Sequence, residues 1–312
     1  MMDWTDRHCR YFMRLLSPVA RLYTEMVTAA AVVHGDHDRL LRFDPAEHPI
    51  ALQLGGSDPK WMAIASEAAD HFGYDEININ VGCPSDRVQS GHFGACLMDT
   101  PATVAACYRS MRAAVGVPVT VKTRIGIDDK DNYEFLRRLV DALVEGGCTT
   151  FIVHARIAIL QGLSPKDNRN IPPLNYERVY RLKQDYPDLH IGLNGGIETL
   201  QQVDEVLRHV DSVMIGRAAY QNPYFLAELD EHLQPGAPRP SRCDVVQQML
   251  PYIKRELAAG ERLHRITRHM TGLFAGQPGA RSWRRFLSEN AYKEGVGVDV
   301  LIEALDKMPM AA

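Results

Sequence analysis

Short apolar runs recur through most of this chain, each followed by a segment of helical period. This alternation limits the fold more than any single residue does. The runs span 21–27, 49–54, 76–83, 118–126, 149–156, 190–197 and 212–219. Amphipathic segments follow at 59–72, 101–115, 133–145, 176–186, 197–208 and 223–233. In the first of these, Trp61, Ile64, Ala65, Ala68, Ala69 and Phe72 fall on one helical face. Near-continuously apolar strands alternating with helices mean a parallel sheet covered by helices. Seven such units leave one strand missing from a (β/α)8 barrel, a fold of ~250 residues. The missing first strand would end at Met1-Met2. The expectation is therefore a numbering that starts inside or just after that strand, the start being mis-set or a short N-terminal piece absent.

The expected barrel domain runs over 1–234. A Pro-rich stretch, Q-P-G-A-P-R-P-S at 234–241, reads as a linker. Beyond it, 243–257, 261–274, 279–292 and 298–307 have helical patterns, which predicts a small all-helical domain over 242–312. Charge divides the same way. From Arg239 onward there are 12 Lys and Arg against 8 Asp and Glu, a net of +4; the rest has 23 basic and 31 acidic residues, a net of −8. Lys254, Arg255, Arg262, Arg265, Arg268, Arg281, Arg284 and Arg285 carry most of the excess. Such a stretch is either a solvated helical face or a footprint for nucleic-acid phosphates.

The six cysteines are scattered and no two are three apart, so no C-x-x-C metal or redox pair exists. That usage predicts a reducing cytoplasm. No signal peptide precedes the first charges and no apolar run reaches membrane-spanning length. The expectation is a cytoplasmic monomer without metal and without membrane attachment.

One strand is unusual. In E-I-N-I-N-V-G-C-P-S, residues 76–85, Ile77, Ile79 and Val81 point one way and Asn78 and Asn80 the other. Gly82 and Pro84 then stop the strand with Cys83 between them. Taken alone, Cys83 is best read as a buried structural thiol. In a barrel, however, polar residues at the C-terminal strand ends build the site. Those positions hold Gln53, Asn80, Cys83, Lys122, Arg124, His154, Arg156, Asn194-Gly195-Gly196 and Gly216-Arg217. Glycines after the last two strands free backbone N–H groups for an oxyanion, and Arg217 adds a charge, so these two sites read as a phosphate cup. Lys122 is either a snorkelling rim residue or a cation placed beside developing negative charge. His154 alone is more often a satisfied core histidine, and Asn80 can simply cap a turn.

With these residues in hand, the chain resembles the flavin-dependent tRNA-dihydrouridine synthases over nearly its whole length. The strings that carry the resemblance are M-M-D-W-T-D at 1–6, Y-T-E-M at 23–26, A-L-Q-L-G-G at 51–56, N-V-G-C-P-S at 80–85 and V-K-T-R-I-G at 121–126. V-H-A-R at 153–156, L-N-G-G-I at 193–197 and I-G-R-A at 215–218 complete the ordered set. The stretch 156–169 and R-S-W-R-R at 281–285 resemble the bacterial A subfamily, which acts at positions 20 and 20a of the tRNA D-loop. The family has a proline before the first Met of P-M-M, and this chain starts after it.

The resemblance implies FMN as cofactor and NADPH as electron source; no G-x-G-x-x-G stretch is present to hold NADPH on a dinucleotide fold. It implies that Met1 and Met2 pack by the isoalloxazine ring, that Gln53 bonds the ring edge and that Lys122 stabilises the reduced ring. His154 would contact the flavin, and Asn194, Gly195, Gly196, Gly216 and Arg217 would hold its phosphate. Asn80 would orient the uracil. Cys83 would protonate C5 of the uracil after hydride reaches C6, a task suited to a thiol that is protonated at neutral pH. The segment 91–94, G-H-F-G, would be a mobile loop carrying Cys83 over the base. Arg124, Lys166, Arg169, Arg281 and Arg284 are the expected contacts to the tRNA elbow. Two rivals remain open on the residues alone: a flavin barrel reducing a free pyrimidine or other small molecule, and a non-catalytic tRNA-binding protein.

Overall fold

The computed structural model describes residues 1–85, 88, 91–237 and 239–309. Seven parallel strands form a single sheet in chain order: β1 (Leu22–Thr28), β2 (Ile50–Gly55), β3 (Glu76–Val81), β4 (Val119–Arg124), β5 (Thr150–His154), β6 (His190–Asn194) and β7 (Ser212–Met214). The curled sheet with its alternating helices is a (β/α)8 barrel in architecture. Helices Pro59–Phe72, Pro101–Ala114, Tyr133–Glu145, Tyr176–Asp185 and Leu200–Leu207 follow β2, β3, β4, β5 and β6. Their starts are set by local chemistry. Asp58, Asn132, Asn175 and Thr199 each accept a first-turn backbone N–H at the N-cap. Gly73 ends the first of these helices at φ +88°, where a side chain would be strained.

Registers align the strands so that one face is apolar and the other polar. Leu52, Leu54, Ile77, Ile79, Val121, Phe151 and Leu193 lie on the first face, all at 0% exposure. Deleting one such side chain to alanine costs about 2–5 kcal/mol. The second face, inside the curl, carries Gln53, Glu76, Asn78, Asn80, Thr120, Lys122, Arg124, His154 and Asn194. The strands are thus less uniformly apolar than expected: period two puts the polar residues in the interior, where they must pair with each other.

The chain divides into two compact units, and the division does not follow the expected linker. One unit holds Tyr23–Phe43 and Pro49–Gly216; the other holds Met1–Leu22, Asp44–His48 and Arg217–Ala312. The reason is the helix Arg7–Leu16, which is tied to the helix Arg242–Ala258 within the second unit. His8 Nδ1 and Tyr252 OH are 2.7 Å apart, Tyr11 stacks on Tyr252 at 3.9 Å, and Arg7 pairs with Glu256. Arg268 and His269 hold Asp6 at 2.6 and 3.0 Å. The 234–241 stretch is also anchored: Arg239 pairs with Glu228 and Glu231, and Tyr224 OH donates to Pro240 O at 2.9 Å. Pro238, and Met310 to Ala312 of the expected helical domain, lie outside the described residues. The segment 261–274, expected as one helix, is helical only over Leu263–Thr267. Gly272 then sits against Gln221 O, where a Cβ would come within 2.4 Å.

Candidate active site

β3 ends on a turn that one side chain closes. Asn80 Oδ1 accepts the backbone N–H of Gly82 at 3.0 Å and of Cys83 at 2.9 Å, and its amide donates to Gln53 Oε1 at 2.7 Å. The turn-capping role is therefore present, and among the described residues the second amide N–H has no hydrogen-bond partner. Cys83 is partly exposed; its Sγ lies 3.5 Å from Ser85 Oγ, and its carbonyl accepts Ala95 N–H at 2.9 Å. Gly94 is at φ +74°, and a Cβ there would stand 2.6 Å from Cys83 O. The loop can close onto Cys83 only with glycine at that position. Within 91–94, Phe93 is buried beside Gly55: Gly55 with a Cβ would meet the Phe93 ring at 2.8 Å. Residues 86, 87, 89 and 90, between Cys83 and this loop, lie outside the described residues.

Two cations stand on the neighbouring strand. Lys122 pairs in register with Asn80. Among the described residues it has no hydrogen bond and no carboxylate partner. Burial, helped by Arg124 and opposed by Cys83, pushes its ammonium down to about 8. Arg124 is pushed down to about 10, by burial first and then by Arg169 and Arg156, with Cys83 again opposing. A recessed lysine that is costly to charge marks a place prepared for an anion.

Arg124 itself departs from its expected part in tRNA binding. It is 3% exposed, and its guanidinium donates to the carbonyls of Gly82 at 2.9 Å, Ile157 at 2.8 Å and Asn168 at 3.0 Å. It braces the turn before Cys83 against the loop after β5. That loop is organised by fully buried Asn168, a residue that sequence reasoning did not single out. Its side chain accepts Ile159 N–H at 2.7 Å and donates to Ile159 O at 2.8 Å. Lys166 and Arg169 flank it and are exposed.

Beyond β5 and β6 the chain forms a glycine cradle. His154 pairs in register with Asn194, whose amide donates to Met214 O at 2.7 Å. Gly195 and Gly196 follow at φ +117° and +71°. A Cβ on Gly195 would lie 2.7 Å from the His154 ring, and one on Gly196 would lie 2.5 Å from Leu174. Tyr176 OH donates to Gly195 O at 2.5 Å. Among the described residues, the N–H groups of Gly195, Gly196 and Gly216 donate to nothing. Open N–H groups, two of them on the left-handed backbone of Gly195 and Gly196, fit a phosphate, and Lys122, without a carboxylate partner among the described residues, fits an anionic ring. The residues present therefore suit a flavin mononucleotide.

The remaining expected residues belong to the helical unit. Met1 and Met2 are 37% and 51% exposed in a turn in which Trp4 N–H and Thr5 N–H donate to Met1 O. Arg217 opens the helix Arg217–Gln221. Arg281 and Arg284, three apart on the helix Ala280–Asn290, are exposed on one face.

Three interior residues were missed in sequence: Glu76, Asn78 as a structural link, and Thr120. The signal was available, because period two sets Glu76 and Asn78 on the face of Asn80, and Thr120 on that of Lys122.

Residues 1–308 match the family described as Dihydrouridine synthase (Dus). The chain is 57% identical over 311 residues to a tRNA-dihydrouridine(20/20a) synthase of Vibrio cholerae, covering 99% of this chain and 95% of that one. It is 58% identical over 303 residues to the protein of the same name from Shewanella oneidensis, covering 96% and 90%. With that of Salmonella typhimurium the identity is 58% over 308 residues, covering 98% and 92%. A match over nearly the whole length, with Lys122 in the sheet and Cys83 and the glycine cradle just past the ends of its strands, leaves one conclusion: the chain belongs to the dihydrouridine synthase family.

Proposed function

We propose that this protein reduces uridine to 5,6-dihydrouridine in the D-loop of tRNA, at positions 20 and 20a, with FMN as cofactor and NADPH as electron donor. The observation that carries the reading is the pairing of a partly exposed thiol, Cys83, with Lys122, a recessed cation that has no acid beside it among the described residues. A flavin held there would supply the hydride that reaches C6 of the uracil. Cys83 supplies the proton to C5, and the thiolate left behind interacts with Lys122 and Arg124. Lys122 would offset negative charge on the ring, and Gln53 and His154 would line it. Asn194, Gly195, Gly196, Gly216 and Arg217 hold the phosphate through backbone N–H groups and one guanidinium. Asn80 holds the Cys83 turn and offers its free amide N–H to the base.

A uracil stacked in a folded loop has to leave the stack to reach such a site. Lys166, Arg169, Arg281 and Arg284 are exposed cations suited to the phosphates of the RNA. Among the described residues no helix is long and apolar enough to cross a membrane. The test is incubation of purified protein with NADPH and unmodified tRNA, followed by mapping of dihydrouridine by position. Dihydrouridine at 20 and 20a is expected. Flavin turnover without modified tRNA would favour a small-molecule reductase.

A further inference from the structure

The polar groups inside the sheet form one continuous ladder of hydrogen bonds that ends at Cys83. Glu76 Oε1 accepts from Tyr23 OH at 2.7 Å and from Thr120 Oγ1 at 2.6 Å. Thr120 Oγ1 accepts from Asn78 Nδ2 at 2.8 Å. Asn78 Oδ1 accepts from Gln53 Nε2 at 2.8 Å, and Gln53 Oε1 accepts from Asn80 Nδ2 at 2.7 Å. Asn80 Oδ1 then takes the N–H groups of Gly82 and Cys83.

The sense of this ladder is enforced from the turn. A backbone N–H can only donate, so Asn80 must turn its oxygen to Gly82 and Cys83 and its amide nitrogen to Gln53. Gln53 then has its nitrogen for Asn78, and Asn78 its nitrogen for Thr120. Thr120, taking Asn78 on its oxygen, spends its single proton on Glu76. Glu76, Asn78 and Thr120 are 2%, 0% and 2% exposed, so water cannot repair a mismatch there. An amide turned over would set like groups against each other in the interior, where unsatisfied polar atoms are costly.

We propose that Glu76, Thr120 and Asn78 are positioning residues for Cys83. They form the far end of a polarised ladder that holds Asn80, and through Asn80 the Gly82–Cys83 turn. None of the three touches the thiol. The importance of the ladder for turnover rests on the reading of Cys83 as the proton donor; its effect on the turn does not.

The experiment compares Thr120→Val, which removes the hydroxyl at nearly constant shape, with Thr120→Ser, which keeps it. Thr120→Ala serves if Thr120→Val does not fold. Two quantities are measured on the holoenzyme: hydrogen exchange of the Gly82 and Cys83 amides, and the kcat and KM for dihydrouridine formation on tRNA. Loss of one hydrogen-bonded link should speed exchange about tenfold in Thr120→Val. The kcat should fall by a similar factor, with KM for tRNA unchanged and Thr120→Ser close to the parent on both counts. Unchanged exchange at Gly82 and Cys83 in the variants lacking the hydroxyl overturns the proposal. Equal damage from Thr120→Ser also overturns it, because it marks a packing defect. Faster exchange in a protein whose parent makes no dihydrouridine upholds the ladder and defeats the reading of Cys83 alone.

Discussion

The two units treat buried cations in opposite ways. In the helical unit, Arg10 and Glu47 are 5% and 0% exposed and meet at 2.6 Å. Arg7, 23% exposed, is paired with Glu256. In the sheet unit, Lys122 has no carboxylate partner among the described residues, and Arg124 donates only to carbonyls. The charged or titratable groups that act on Lys122 are Arg124 and Cys83. A buried charge is costly unless compensated. Arg10 holds helices together through its carboxylate partner; Lys122, which has none among the described residues, would be offset by a ligand that brings negative charge. The difference separates scaffold from site without reference to any relative.

This contrast can be broken in several ways. The largest effect should come from Arg10→Met, which strands Glu47 in the interior and should cost about 3–5 kcal/mol in urea unfolding. Lys122→Met should do the reverse in the flavin-free protein. Lys122 falls from the usual 10.5 to about 8 in the fold. Between these values the unfolded chain binds more protons than the folded one, so this residue makes stability rise with pH from about 8 to 10.5. Replacing it should stabilise the protein at pH 7 by up to about 3 kcal/mol, with the gain fading between about pH 8 and 10.5 and gone above. A loss of stability at pH 7 would mean that Lys122 has a compensating partner. The same variant should retain flavin poorly.

Gly195→Ala comes next. Left-handed backbone and the His154 ring both oppose the new methyl, at a cost of about 1–3 kcal/mol, with weaker flavin retention checked by absorbance after gel filtration. The smallest effect on stability, within about 0.5 kcal/mol, is expected from Arg281→Ala with Arg284→Ala, since both are exposed. Their loss should instead lower the salt dependence of tRNA binding by about two in log–log slope. An unchanged slope would remove both from the RNA surface.

Much of the sheet unit is legible in the sequence. All seven strands lie within one or two residues of their apolar runs at the N-terminal end, and the helices Pro59–Phe72 and Tyr133–Glu145 have the expected limits. Local period and capping residues determine these elements, and both are written locally. The helical unit is less legible. Helical spacing over 261–274 is met partly by turns, because Gly272 lies against Gln221 O, a contact distant in sequence. Membership of the helix Arg7–Leu16 depends on Tyr252 and Glu256, some 250 residues on, which no window can register.

Within the site, residue types are legible and their partners are not. Arg124 stands at a strand end like any ligand-binding arginine, and only the carbonyls of Gly82, Ile157 and Asn168 reveal it as a brace. Asn80 is a turn cap and an amide donor at once, a combination visible only when Gln53 is in place.

The central claim is that Cys83 serves the step on uridine and not the loading of electrons. Cys83→Ala, assayed in two separate half-reactions, tests it most directly. Reduction of bound flavin by NADPH should proceed at the parent rate, while dihydrouridine formation on tRNA falls by about 10²–10⁴-fold, the usual loss for a missing general acid. Parallel loss in both half-reactions, or full retention of uridine reduction, would contradict it.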